Sequence, residues 1–593
     1  MKRNTLYAAI VFLVLAFVIT PAHAGDPSHG FAAAEHECRK IEEPAVSVVR
    51  HTQYGKIMGI KEPDKSGLSW LGVPYAKPPV GNLRWQPPEE PDPWHGVLRT
   101  QTFGNACAQV GEMYGPPGPG GNVLTLSDTF FQRVGEEDCL YMNIFRPATK
   151  EEDLPVWVYI HGGSNRVGDI QNPMIYGTNL AKNANIVVVT VQYRLNLFGW
   201  LSHPALRTGD PVNDSGNYGL LDLMQALKFI KSNIAHFGGD PDNVTISGQS
   251  AGSANVNALM VSPLAAGLFH KAMPISGGLS TSKVSAAEAK ANAVIDAFLI
   301  KDGYATDSTS AAIFRGNQTN AWIKNYLMSK TTDDIVNIQM DPKGGKFGNG
   351  AYTAVGSVVA NIGDGFVLPS DYAGAVTSGK FNNVPLLISN TAEEGKLFTQ
   401  SAFKISDAVR YDMMIDFNPN APSTLTLADL LDPAIINPLT AETYTTYSYD
   451  NGNHVTPGPA ITTVAFVASI DATTARYKTV QDKVYAYQFN WAQQPAPWDV
   501  IYGAVHAGDI PFIFGDFGKG LFSCGFSRAN KPGRLALSSV MQKSIAAFVR
   551  TGDPNNHSLG MHWEKANNGS TGKPKKIVFD ADKTSLKIST TNN

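Results

Sequence analysis

Cysteine is scarce in this chain: four among 593 residues, at Cys38, Cys107, Cys139 and Cys524. None belongs to a C-x-x-C pair and no H-E-x-x-H run occurs, which argues against a zinc site. A basic run and an aromatic stacking module are also missing. With a formal charge of −3, this argues against nucleic acid as a partner. No repeat, low-complexity tract or Ser/Gly-rich linker divides the chain, although its length alone suggests several domains. Beyond the N-terminus no apolar stretch approaches the roughly 20 residues needed to cross a bilayer.

The N-terminus is different. Lys2 and Arg3 precede an almost wholly apolar stretch, residues 6–20, and Pro21-Ala22-His23-Ala24 offers an A-x-A cleavage site. This is the pattern of a secretory signal peptide over residues 1–24. The mature chain, residues 25–593, is therefore expected to be secreted or periplasmic, with no stable membrane insertion. Cysteines in such compartments can be oxidised, and four allow three pairings. A hydrophobic content of 43% can fill a large core.

Continuous apolar runs at residues 156–160 and 186–191 predict parallel strands buried on both faces. Leu220, Leu223, Met224, Leu227, Ile230 and Ile234 recur at helical spacing up to a stop at Phe237-Gly238-Gly239. A strand at residues 244–247 follows. Others are expected at 47–49 and 56–60 around a turn at Tyr54-Gly55, at 142–145, at 384–389, and at 484–489 as the last clear one. Residues 71–81 and 114–122 read as loops. Residues 284–351 read as an inserted helical cap or wall, and 534–550 as a C-terminal helix stopped by Gly552. This alternation predicts an α/β fold with helices on both faces of the sheet.

The chemistry centres on Gly248-Gln249-Ser250-Ala251-Gly252, set between a β-branched run and one rich in Ala, Leu and Met. That context reads as a nucleophile elbow. A serine at a sharp strand-to-helix turn takes strained backbone angles, small neighbours let the chain pass close by, and the helix N-terminus favours developing negative charge. A serine hydroxyl also needs a base, and the base an orienting acid, in the chain order Ser, then Asp or Glu, then His. Glu393-Glu394-Gly395 and His506 stand in loops after predicted strands in that order. One histidine among 13 carries no weight alone; order and loop placement do. The N–H groups of Gly162 and Gly163, in His161-Gly162-Gly163, and of Ala251 are candidates for an oxyanion hole.

The chain resembles the type-B carboxylesterase/lipase family, the cholinesterase-like branch of the α/β-hydrolases. The likeness spans residues 46–579. It rests on Leu71-Gly72-Val73-Pro74-Tyr75-Ala76, Glu137-Asp138-Cys139-Leu140-Tyr141-Met142-Asn143, His161-Gly162-Gly163, Gln192-Tyr193-Arg194-Leu195 and Gly216-Asn217-Tyr218-Gly219-Leu220-Leu221-Asp222. Phe237-Gly238-Gly239-Asp240-Pro241, the elbow, His506-Ala507-Gly508-Asp509-Ile510-Pro511-Phe512 and Thr551-Gly552-Asp553-Pro554-Asn555 follow in order.

The resemblance implies an α/β-hydrolase fold, with a large mostly parallel sheet and inserted helical caps in one catalytic domain. It implies Ser250 as nucleophile, His506 as base and Glu394, the carboxylate just before a Gly, as the acid. It implies oxyanion donors at Gly162, Gly163 and Ala251, no metal and no cofactor, and a small-molecule or lipid-like ester as substrate. It also implies a Cys107–Cys139 disulfide closing a loop of about 30 residues, worth about 3–4 kcal/mol. Cys38 and Cys524 match no cysteine position of the family, and their pairing with each other is left open. Three departures stand out. Gln249 replaces the Glu many relatives carry before the serine, Ser164 follows His161-Gly162-Gly163, and no Trp lies between Cys107 and Cys139 to stack a choline ester. A serine esterase is the reading that follows. A lipase with a lid in the Cys107–Cys139 loop is the second, and a non-catalytic adhesion-type relative the third.

Overall fold

The apolar runs become the middle of an eleven-stranded sheet. The computed structural model describes residues 47–592 apart from 117–121, 341–353, 399–402, 432–458 and 567–573. The expected signal peptide and Cys38 lie outside these residues. The strands are β1 (Ile60–Lys61), β2 (Gly67–Pro74), β3 (Tyr141–Pro147), β4 (Leu154–Ile160), β5 (Val187–Val191), β6 (Gly239–Gln249), β7 (Lys271–Ile275), β8 (Leu386–Thr391), β9 (Val484–Phe489), β10 (Lys576–Ala581) and β11 (Leu586–Thr591). Their spatial order is β11-β10-β9-β8-β7-β6-β4-β5-β3-β2-β1. The block from β5 to β10 is parallel, and the pairings at both edges are antiparallel.

Every residue of β4 and β5 is buried, as two-sided burial requires. The pleat sends alternate side chains to opposite cores. Val156, Val158 and Ile160 join one core with Leu220, Leu223 and Leu227 of helix α1 (Tyr218–Asn233) and with Val256 and Met260 of α2 (Ala251–Val261). Trp157 and Tyr159 join the other. A third cluster lies within α3 (Val284–Lys301), α4 (Ser308–Gly316), α5 (Asn320–Met328) and α6 (Thr332–Asn337), the expected cap. There Phe298, Leu327 and Ile335 pack onto Phe198 and Leu201 of the connection after β5. On the sheet, helix α7 (Pro459–Lys478) places Ile470 and Tyr477 in the first core. The α8 (Ile510–Phe514) and α9 (Lys531–Thr551) helices line the second with Phe514 and Leu537.

Several expectations change. Residues 71–74, read as loop, belong to β2. Gly72 sits at φ +67°, where the register with β3 shifts between Trp70 and Val73, so the punctuation marks a bulge inside a strand. Strand β7 went unread because Lys271 and Pro274 interrupt it; the Lys271 ammonium reaches the Asn243 side chain. The strand at 484–489 is not the last, since β10 and the edge strand β11 follow, paired across a turn held by the Asp582 carboxylate. Cys107 and Cys139 are joined by a disulfide, as the resemblance implies, while Cys524, whose pairing the sequence left open, is a free buried thiol. Among the described residues no helix is long and apolar enough to cross a membrane.

Candidate active site

Chain order and sheet order part company at β4. The chain runs β4 to β5 on one side and returns with β6 on the other, which opens a crevice at the carboxyl ends of β4 and β6. Ser250 sits at the end of β6 with φ 60° and ψ −118°, a conformation costing on the order of 1–3 kcal/mol. Its N–H donates to the carbonyl of Ile275 at the end of β7, at 2.9 Å. The flanking glycines are sterically required. A Cβ on Gly252 would lie 2.2 Å from the Ile160 carbonyl oxygen, and one on Gly248 would lie 2.5 Å from the backbone of Gly252.

His161-Gly162-Gly163 leaves the end of β4 beside this turn. A Cβ on Gly162 would come within 2.7 Å of the Gln249 carbonyl oxygen and 3.0 Å of the Ser250 Cβ. The loop is anchored by the Tyr193 hydroxyl, which donates to the His161 carbonyl at 2.9 Å. The His161 ring stacks on Tyr193, and burial pushes its pKa down to about 4, so it stays neutral. Among the described residues, the N–H groups of Gly162, Gly163 and Ala251 donate to no protein acceptor. They are available to an oxygen placed near Ser250.

Glu394 and His506 come from loops after β8 and β9. His506 is 2% exposed and its Nδ1 is hydrogen-bonded to Glu394 Oε2, while Glu394 Oε1 accepts the N–H of Thr391 at 2.7 Å. Glu393 turns the other way and pins the histidine loop. Its Oε2 accepts the Ala504 N–H at 2.7 Å, its own N–H donates to the Ala504 carbonyl at 2.9 Å, and its Oε1 pairs with buried Lys396 at 2.6 Å. Of the two adjacent carboxylates, Glu394 is the one that meets the imidazole.

Ser250 and His506 line one cavity of about 80 Å³ with Gly162, Gly163 and Gln249. Its walls are mainly apolar, from Met174, Ile175, Leu397, Phe398 and Ile510, with Tyr114, Asp169 and Asn172 as polar points. Ser250 Oγ makes no hydrogen bond among the described residues; His506 Nε2 lies instead 2.9 Å from Gln249 Nε2. Sequence reasoning marked Gln249 only as a missing charge. It also missed the rings of Phe398 and Phe466, 5.1 and 5.3 Å from the imidazole. Asp509 was likewise missed. It is fully buried, accepts the Tyr487 hydroxyl at 2.9 Å, and is pushed up to about 7 by burial. Asp169 is raised to about 7 by the same cause while the Gln192 amide donates to it. No spacing rule would have found these contacts.

A family model described as the carboxylesterase family matches residues 46–592. Para-nitrobenzyl esterase of Bacillus subtilis is 30% identical over 513 residues, covering 86% of this chain and 91% of that protein. Carboxylesterase 1C of Rattus norvegicus is 31% identical over 542 residues, covering 88% of each. The crystal structure of a Geobacillus stearothermophilus carboxylesterase superposes with a TM-score of 0.65 at 27% identity, covering 92% of this chain and 98% of that one.

Proposed function

The chain belongs to the carboxylesterase family and is a serine carboxylic ester hydrolase; from that premise we propose that Ser250, His506 and Glu394 are its catalytic triad in a secreted enzyme. The observation that carries the reading is the Glu394–His506 pair, buried in the cavity that strained Ser250 also lines. Ser250 Oγ attacks the ester carbonyl while His506 Nε2 takes its proton. The carbonyl oxygen, now anionic, is held by the N–H groups of Gly162, Gly163 and Ala251. His506 returns the proton to the leaving alcohol. Water, deprotonated by the same imidazole, then releases the acid from Ser250. Glu394 fixes the proton on Nδ1 and stabilises the imidazolium at each stage.

The apolar cavity walls suit an ester with an apolar acyl or alcohol part. A soluble ester fits better than an emulsified long-chain lipid. Within the Cys107–Cys139 loop, the only described helical element is the short 3-10 segment Val123–Thr129, no long amphipathic lid. Secretion is supported by the oxidised cysteine pair and by the signal-like residues 1–24.

Treating the mature protein with a fluorophosphonate tests the reading. Stoichiometric labelling of Ser250, with labelling and ester hydrolysis both lost in Ser250→Ala, is expected. Retained hydrolysis in Ser250→Ala removes the serine from its role. Comparing butyrate esters with emulsified long-chain triglycerides separates esterase from lipase.

A further inference from the structure

One ring nitrogen of His506 meets Glu394; the other does not meet Ser250. A carboxylate can only accept, so the imidazole proton sits on Nδ1 and Nε2 presents a lone pair. The Gln249 amide N–H donates into that lone pair at 2.9 Å. This is the nitrogen the proposed reaction needs for the Ser250 proton. The contact is held from several sides. Gln249 ends β6 in register with Ile275 of β7, and its side chain is buried at 5% exposure. Its Oε1 lies against the Gly162 backbone, where a Cβ on Gly162 would approach it to 2.7 Å. Phe398 and Phe466 pack beside the imidazole.

We propose that Gln249 is a positioning residue that latches the resting enzyme. Its amide keeps His506 in the Nδ1–H form, occupies the nitrogen that acts as base, and leaves it when an entering ester displaces the side chain. No covalent bond changes in this step. One N–H···N hydrogen bond is exchanged for the Oγ–H···N bond from Ser250, because a lone pair accepts one such donor at a time. A carboxylate at this position, which many relatives carry, has no proton to donate and cannot form the latch. The proposal rests on the triad reading above.

The test compares the rate at which a neutral fluorophosphonate labels the mature wild-type protein, Gln249→Met and Gln249→Glu, with kcat and KM for a soluble ester measured in parallel. Methionine fills a similar volume and cannot donate. The latch predicts that Gln249→Met is labelled faster, by roughly two- to tenfold, the worth of one net hydrogen bond, with KM falling by a similar factor and kcat nearly unchanged, because the latch is already released in the ester complex. Gln249→Glu, which also cannot donate, is labelled at least as fast as wild type. Damaged packing slows labelling and does not speed it, so the sign of the Gln249→Met effect separates a latch from a structural role. Labelling of Gln249→Met at or below the wild-type rate overturns the latch, as does labelling of Gln249→Glu below the wild-type rate. Wild-type protein that is not labelled at Ser250 at all overturns the triad reading instead.

Discussion

The two sides of the site are built by different means. On the nucleophile side, β4, β6 and α2 pass so closely that Gly162, Gly248 and Gly252 have no room for a Cβ, and Ser250 is held at a positive φ. That side is backbone geometry enforced by sterics. On the base side, the loops after β8 and β9 meet through buried charge. Glu394 holds His506, Glu393 and Lys396 hold the loop that carries it, and Asp509 meets Tyr487. A rigid turn can be fixed by its own few residues, whereas a buried charge is stable only if its partner is present. The first side should therefore tolerate changes of charge and fail on added volume; the second should do the reverse.

The largest effect is expected from Glu394→Gln, which changes no volume. The amide cannot hold the imidazole in its working tautomer, and kcat should fall by about 10⁴-fold with the fold intact. Unchanged kcat would show that the base side does not depend on this charge. Lys396→Met comes next. It leaves Glu393 charged and buried beside Ala504, and thermal unfolding should report a loss of about 3–5 kcal/mol. The double variant Glu393→Gln/Lys396→Met should recover much of that loss; no recovery would mean that Lys396 acts through packing. On the nucleophile side, Gly162→Ala adds one methyl group and no charge. It forces the loop off the Gln249 carbonyl and displaces a proposed oxyanion donor, so kcat should fall by about 10²–10³-fold. An equal loss in KM alone would point to substrate fit.

The same division explains what could be read from the chain. The nucleophile side is local: five consecutive residues carry the elbow, and the apolar runs at 156–160 and 186–191 announce β4 and β5 without help. The base side joins Glu394 to His506 across a separation of 112 residues, and chain order together with the family likeness picked both out. Neither could indicate that Glu393 pins Ala504, or that the Gln249 amide reaches His506. Strand β7 escaped notice because Lys271 and Pro274 break its apolar run, and the Asn243 side chain that meets Lys271 lies in another strand. Residues 71–74 were misread because a bulge and a loop carry the same Gly and Pro marks.

Asp509→Asn should have the smallest effect and tests the charged side through pH. Burial raises the Asp509 carboxyl from an ordinary 3.8 to about 7, with Glu394 adding to the shift. Between these values the folded protein keeps a proton that the unfolded chain has released. Its stability therefore falls as pH rises through this window, and the loss is complete above about 7. Asparagine is neutral throughout and still offers an oxygen to the Tyr487 hydroxyl. At pH 4 the variant should unfold close to the wild-type temperature; at pH 8 it should unfold a few degrees higher. A shift of the same size at both pH values would mean that Asp509 is not a buried acid held protonated near Glu394.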